Sequence, residues 1–290
     1  MREVDVAGYL ARLGVEHDGP PSVEGLARLH RAHAERVPYT SLDIHLGRRT
    51  SVDPLESADR VVRTGRAGYC FLSNGAFAAL LAALGYDVRW HVGAVQNRRM
   101  AEPPGRVVNH LALTVHGLAA AAAPDGRWLA DVGLGDALHE PLPLAAGRSV
   151  QPPLELSLSP SVLAAGGWRL EHDELGSFAG MDFWPEPGKP GDLIAAHHEL
   201  STSPSSGFVQ VLVVARRTAT ISEVLRGCVL QTVGPDRAVT ERDLTGRSDW
   251  FDAVVDGFGL SLDDVTAEQR DRLWDRVRSG HETWVGAGRP

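Results

Sequence analysis

The stretch Arg66-Ala67-Gly68-Tyr69-Cys70-Phe71-Leu72-Ser73-Asn74-Gly75 delivers one cysteine to the start of a helix. Beyond it Phe77, Leu80, Leu81 and Leu84 recur at a spacing that puts one apolar stripe on a core, and Gly85 supplies a stop, so the segment reads as an amphipathic helix. Cys70 then sits just before or within the first turn. Unpaired backbone N–H groups and the positive end of the helix dipole favour a thiolate there, and a free thiol pKa of about 8.5 falls to roughly 3.5–7.5 in such settings, more so beside a histidine. In a purely structural role the same residue would be a small buried hydrophobe. The choice between the two depends on whether the chain supplies a base and an acid.

Toward the N-terminus the chain reads as helical. Ser22 caps a segment with Leu26, Leu29 and Val37 on one face and Pro38 after it, and a second segment runs from Pro54 to Arg63. With the Cys70 helix these form a helical unit, residues 1–88. From Val88 the period changes to short apolar runs bounded by turn residues: Val88–Val95, His110–Val115, Trp128–Val132, Leu154–Leu158, Trp168–His172 and Phe178–Trp184. Antiparallel strands in a small barrel or curled sheet, residues 89–197, are the natural reading. The Ala119–Ala123 run with Pro124-Asp125-Gly126 connects two of them. A mixed unit, residues 198–290, follows, with a strand from Phe208 to Ala215 and a segment of ambiguous period from Ile221 to Val233. Thr266-Ala267-Glu268-Gln269 then opens a helix with a capping box; Leu273, Trp274 and Val277 lie on its inner side and Gly280 reads as its end. The fold class is α+β.

Composition narrows the function. The 290 residues are 43% hydrophobic, ordinary for a globular protein. A net charge of −8, from 29 basic and 37 acidic residues, with runs of adjacent basic residues no longer than pairs such as Arg48-Arg49, Arg98-Arg99 and Arg216-Arg217, leaves no footprint for nucleic acid. No apolar run approaches the ~20 residues of a membrane span. Met1-Arg2-Glu3-Val4-Asp5 is too acidic to open a signal peptide, so a cytoplasmic location with no membrane partner is expected. Cys70 and Cys228 are the only cysteines, which excludes a disulfide framework and a cysteine zinc site; Cys228 reads as packing. His197-His198-Glu199 and the pair His30, His33 fit no specific zinc spacing, and Gly133-Leu134-Gly135 lacks the context of a dinucleotide fingerprint. No metal is expected.

A cysteine nucleophile needs a base, and the base needs a third group to fix its tautomer. Of the twelve histidines, His110 is best placed, at the head of the alternating strand Val107-Val108-Asn109-His110-Leu111-Ala112-Leu113-Thr114-Val115. Asp131, in Trp128-Leu129-Ala130-Asp131-Val132-Gly133-Leu134-Gly135-Asp136, lies on the next strand of a hairpin, within reach of it. Taken singly, His110 reads as a satisfied core histidine and Asp131 as a turn-capping carboxylate. The order Cys, His, Asp joins them.

These segments resemble, in the same order, the three signatures of the arylamine N-acetyltransferase family: Arg66-Ala67-Gly68-Tyr69-Cys70 with Asn74, the His110 strand, and Asp131-Val132-Gly133-Leu134-Gly135. Val37-Pro38-Tyr39 leading to Leu42-Asp43-Ile44-His45-Leu46-Gly47, and Ser201-Thr202-Ser203-Pro204-Ser205-Ser206-Gly207-Phe208, extend the resemblance over nearly the whole chain. It implies a helical bundle, a β-barrel and an α/β lid around a cysteine-protease-like Cys-His-Asp core. It also implies Cys70, His110 and Asp131 as a catalytic triad, with acetyl-CoA as acyl donor. By position Tyr39, Val95 and Phe208 match residues lining the acceptor pocket; Arg66 and Leu134 fall on the substrate side, and Ser201 and Thr202 on the side of the donor. The departures are Tyr39-Thr40-Ser41 where Phe-Glu-Asn is common, Leu72 where glutamate is frequent, and Leu134 where an aromatic is usual. Without a glutamate at position 40, Arg66 either pairs with another acid such as Asp43 or keeps a free guanidinium for acid-bearing substrates such as aminobenzoates.

The reading is a ping-pong acyltransferase that moves an acyl group from acyl-CoA through Cys70 to an arylamine, hydrazine or similar small amine. The alternative is an amide synthase that releases a polyketide from an acyl carrier protein by amide (macrolactam) formation. A cysteine hydrolase or transglutaminase-like enzyme is a third reading.

Overall fold

A computed structural model describes residues 3–16 and 19–289. Met1 and Arg2, part of the stretch read as too acidic for a signal peptide, lie outside the described residues. Helices α1 (Val6–Leu13) and α2 (Val23–Arg36) open the fold; the Ser22 side chain accepts from Gly25 N–H as its cap role requires. A two-residue strand β1 (Tyr39–Thr40) and a single turn α3 (Leu42–His45) follow, then α4 (Pro54–Thr64) and α5 (Cys70–Ala83). Helix α5 is not amphipathic. Every residue from Cys70 to Ala78 is buried, as are Leu80 and Leu81, because α4 packs on one side and the first two barrel strands on another. Small residues make this possible: Gly75 sits between Pro54 of α4 and Trp90 of the sheet.

Eight strands, β2 (Asp87–Gln96), β3 (His110–His116), β4 (Trp128–Leu129), β5 (Leu142–Pro143), β6 (Gly147–Gln151), β7 (Leu154–Pro160), β8 (Trp168–Glu171) and β9 (Gly180–Pro187), form one antiparallel sheet. Their order is β5-β4-β3-β2-β9-β8-β7-β6. Leu129 of β4 and Leu156 and Leu158 of β7 come from opposite ends of that order, yet share one core with Leu170, Met181 and Phe183. The sheet therefore curls on itself. Its edges β5 and β6 do not pair, so the expected barrel is nearly closed rather than closed. Strands β5 and β6 escape sequence reading because Leu-Pro is too short to show a period and Gly147–Gln151 is mostly exposed.

Helices α6 (Ile194–Thr202) and α7 (Gly207–Gln210) lead into a second antiparallel sheet, β10 (Val213–Arg217), β11 (Ser222–Arg226), β12 (Val229–Val233) and β13 (Val239–Asp243). Its first position is taken by β1, Tyr39 pairing with Ala215, so a strand from the helical region completes it. The strand expected from Phe208 begins only at Val213; Ser206 caps α7 by accepting from Phe208 N–H and coils that stretch first. The ambiguous segment resolves into the β11–β12 hairpin, turning at Gly227 with φ +59°.

Helix α8 (Arg247–Asp252) and a π turn lead to α9 (Ala267–Gly286), which opens with the capping box of Thr266 and Gln269. It runs through Gly280 rather than ending there. A Cβ at Gly280 would lie 2.6 Å from the Gln210 carbonyl oxygen, so this glycine serves close approach to α7. No helix among the described residues is long and apolar enough to cross a membrane.

Candidate active site

Cys70 is the first residue of α5, and Tyr69, extended at φ −91° and ψ −171°, is its N-cap. The turn before it needs glycine: Gly68 has φ +140°, and a Cβ there would meet Leu72 Cδ1 at 2.5 Å. The Sγ lies 3.5 Å from the Asn109 carbonyl oxygen. His110 follows as the first residue of β3, opposite Gly93. Asn109 fixes that strand entry, its Oδ1 accepting from Val95 N–H at 2.6 Å and its Nδ2 donating to Val95 O at 3.1 Å.

Asp131 lies two residues beyond β4, in the loop rather than on the strand. Its Oδ2 meets His110 Nε2 at 2.7 Å, and its Oδ1 accepts from Asn74 Nδ2 at 2.6 Å and Gly133 N–H at 2.9 Å. Both oxygens of a carboxylate about 1% exposed are thus satisfied. Burial alone would lower the His110 pKa, but the charge and hydrogen bond of Asp131, with further contributions from Cys70, raise it to about 10. Nε2 is committed to Asp131, which leaves Nδ1 for Cys70.

Asn74, one turn beyond Cys70, ties the three elements together. Besides Asp131 it donates to Leu111 O at 2.5 Å and accepts from Val132 N–H at 2.9 Å. Gly133 is required by the same junction, since a Cβ there would lie 2.6 Å from Asn74 Nδ2 and 3.0 Å from Cys70 Cα. Asn74 and Gly133 stand within the sequence motifs without a role evident from the sequence; the i, i+4 spacing of Cys70 and Asn74 on one helix face is the signal that carries it.

A cavity of about 290 Å³ opens over the pair, with Cys70, His110, Tyr39, Val95, Leu134 and Phe208 in its wall. Tyr39 and Phe208 rings approach to 6.3 Å, and Phe208 stacks on Tyr69 at 5.0 Å.

The other expected contacts lie elsewhere. Arg66, expected on the substrate side, is 1% exposed and absent from the cavity wall. Its guanidinium donates to Ser261 O at 2.9 Å and to Asp264 at 2.6 and 3.1 Å, with Asp43 at 3.5 Å. Of the two alternatives for Arg66, pairing with another acid is the one the structure has, chiefly with Asp264 and at longer range with Asp43. Thr40 caps locally, accepting from Leu42 N–H. Ser201 and Thr202, expected on the donor side, line a separate cavity of about 750 Å³ with Arg48, Arg49, His197 and His198. Their hydroxyls donate back to His197 O and His198 O, one turn earlier in α6.

The remaining histidine motifs are held by structural bonds: His30 faces His139 O, His33 faces the Tyr9 hydroxyl, and His197 faces the Tyr69 hydroxyl and Thr50 O. Among the described residues no group of three or more metal-capable side chains occurs. Cys228 is buried in the second core, and burial pushes its thiol up to about 11.

Residues 22–267 match the family model described as N-acetyltransferase. The arylamine N-acetyltransferase of Mycolicibacterium smegmatis is 31% identical over 272 residues, which cover 90% of this chain and 94% of that protein. Proansamycin X synthase of Amycolatopsis mediterranei is 33% identical over 156 residues, 52% of this chain and 56% of that protein. The structure of Mycobacterium marinum arylamine N-acetyltransferase in complex with CoA superimposes with a TM-score of 0.82 at 26% identity, covering 95% of this chain and 99% of that one. On matches that run nearly the full length of the chain, it belongs to the arylamine N-acetyltransferase family and is an acyltransferase.

Proposed function

We propose that the protein transfers an acyl group, acetyl in the simplest case, from acyl-CoA to a small aromatic amine or hydrazine by a ping-pong reaction through Cys70. The observation that carries this is the buried His110–Asp131 hydrogen bond behind a cavity whose lining includes both His110 and Cys70. A base pKa raised to about 10 by Asp131 and Cys70 favours an imidazolium at neutral pH, and an imidazolium beside a thiol at a helix start favours the thiolate. The thiolate attacks the thioester carbonyl carbon, a new C–S bond forms, and the CoA sulfur leaves with the proton held at His110. The amine nitrogen then attacks the acyl-Cys70 carbon, the C–S bond breaks, the amine proton passes to His110, and Cys70 returns as thiolate. Asp131 keeps the imidazole in one tautomer and balances its charge. Tyr39, Val95, Leu134 and Phe208 form an apolar wall suited to an aromatic ring.

The test is intact mass after mixing with acetyl-CoA and no amine. Wild type should gain one acetyl group and Cys70→Ser none. A persistent adduct on the serine variant, or none on wild type across several short acyl donors, would overturn the assignment. A second reading, amide synthesis on an acyl chain delivered by a carrier protein, draws on the half-length similarity to Proansamycin X synthase. It predicts faster acylation of Cys70 by a carrier-bound thioester than by the matching acyl-CoA.

A further inference from the structure

Arg226 ends β11 and lines the Cys70 cavity together with a neighbouring cavity of about 400 Å³; the two share Asn97, Ser177, Val224 and Arg226. Four arginines line this pair of cavities. Arg98 donates to the carbonyls of Asp173 and Gly176, Arg99 to those of Gly288 and Arg289, and Arg289 pairs with Glu241 and Asp243. Arg226 differs: among the described residues its guanidinium has no hydrogen-bond or ion-pair partner. The carboxylate nearest in electrostatic terms is Asp136, and it is already occupied. Its oxygens accept from Ser177 Oγ at 2.6 Å and Ser177 N–H at 2.8 Å, and His172 stands at 3.5 Å. A guanidinium carries five donors and no acceptor, and that of Arg226, half-buried in the cavity lining, has its donors open to a ligand. A planar anion reaching into the cavity would match two at once.

We propose that Arg226 is a specificity-determining residue that favours amine acceptors carrying a ring carboxylate, 3-aminobenzoate being the simplest kind, by holding the carboxylate while the amine faces acylated Cys70. The proposal rests on the acyl-transfer reading above and names the substrate class of that same cavity. The geometry favours the acceptor over the donor as the source of the anion. The phosphates of CoA lie a full pantetheine arm away from the thioester that must meet Cys70, whereas the carboxylate of an aminobenzoate lies one ring away from its amine, the scale of a cavity of about 290 Å³ lined by both Cys70 and Arg226. The acid-bearing substrate first associated with Arg66 thus finds its guanidinium at Arg226.

The experiment compares kcat/KM for 3-aminobenzoate and its neutral isostere 3-aminobenzamide in wild type, Arg226→Gln and Arg226→Lys, with acetyl-CoA or the short uncharged thioester S-acetyl-N-acetylcysteamine as donor. Wild type should prefer the acid, Arg226→Gln should lower the acid-to-amide ratio about tenfold or more, and Arg226→Lys should retain part of it. An unchanged ratio in Arg226→Gln overturns the proposal. So does a loss seen only with acetyl-CoA and equal for both amines, which would assign the guanidinium to a donor phosphate. Intact mass separates the two levels of inference. If wild-type Cys70 takes no acyl group, the acyl-transfer reading fails; if it is acylated and the two amines are used alike, only the role of Arg226 fails.

Discussion

Replacing Asn74 by alanine removes three hydrogen bonds at one fully buried point. Leu111 O and Val132 N–H are left without this partner, and Asp131 Oδ1 keeps only Gly133 N–H. Each stranded neutral group costs about 1–3 kcal/mol, and the bond to the carboxylate contributes up to about 3. Water entering the vacated space recovers part of this, so a net loss of about 3–5 kcal/mol is expected, a large share of the roughly 5–15 kcal/mol that holds a domain folded. For a chain this long, that corresponds to a fall in Tm of about 5–8 °C. Urea denaturation followed by tryptophan fluorescence measures the loss, and acyl transfer assayed well below the new Tm isolates the effect on the site. With Asp131 no longer held from behind, kcat should fall more than KM rises. A stability change below about 1 kcal/mol together with an unchanged kcat would refute the view that Asn74 positions the acid.

Other outcomes follow from the same structure. The His110 pKa, raised to about 10 from an unfolded value of about 6.5, contributes stability that is complete below pH 6.5 and lost as pH rises toward 10. The stability gap between wild type and His110→Gln should therefore narrow between pH 6 and pH 10, and a constant gap would contradict the ion pair. Asp264 is pushed up by burial, but the hydrogen bonds and charges of Arg66 and Arg48 bring its pKa down to about 2. Its contribution is present above about pH 4 and fades as pH falls through 2, so Asp264→Asn should flatten the acid side of the stability profile; an identical acid limb would count against the pair. Gly280→Ala places a methyl group 2.6 Å from Gln210 O, and a cost of about 1–3 kcal/mol is expected, with a raised KM for the amine because α7 carries Phe208. A neutral result in calorimetry and kinetics would show that α9 and α7 separate freely.

Local chemistry explains what was legible in the sequence. Cys70 could be placed at a helix start because the Gly68 turn and the apolar residues after it act within a dozen positions, and the strands from Asp87 to Gln96 and from His110 to His116 stand out by their apolar runs. Ser22 and Thr266 read correctly as caps because a cap bonds to a backbone three residues on. Readings failed where a distant partner decided the outcome. Arg66 finds Asp264 198 residues later, which no local pattern encodes. Gly280 looked like a stop because its neighbour Gln210 lies on another helix. Helix α5 looked amphipathic because its small residues read as a weakly apolar face, whereas in the fold they let other elements close on every side. Phe208 reads as strand by composition, yet Ser206 supplies a cap that coils it.

Tyr39 leaves the ribosome long before the strand that receives it. Ser41, two residues on, exchanges hydrogen bonds with Val213, 172 residues further along the chain. At ordinary elongation rates of about 5–20 residues per second, that interval is roughly 10–30 s. Through this time the helix bearing Cys70 can fold with its neighbours, but the wall of the cavity made by Tyr39, Phe208 and Arg226 does not exist. A nascent chain is therefore a thiol without a pocket, and the cavity is completed only when the last sheet docks onto a strand made near the beginning of synthesis.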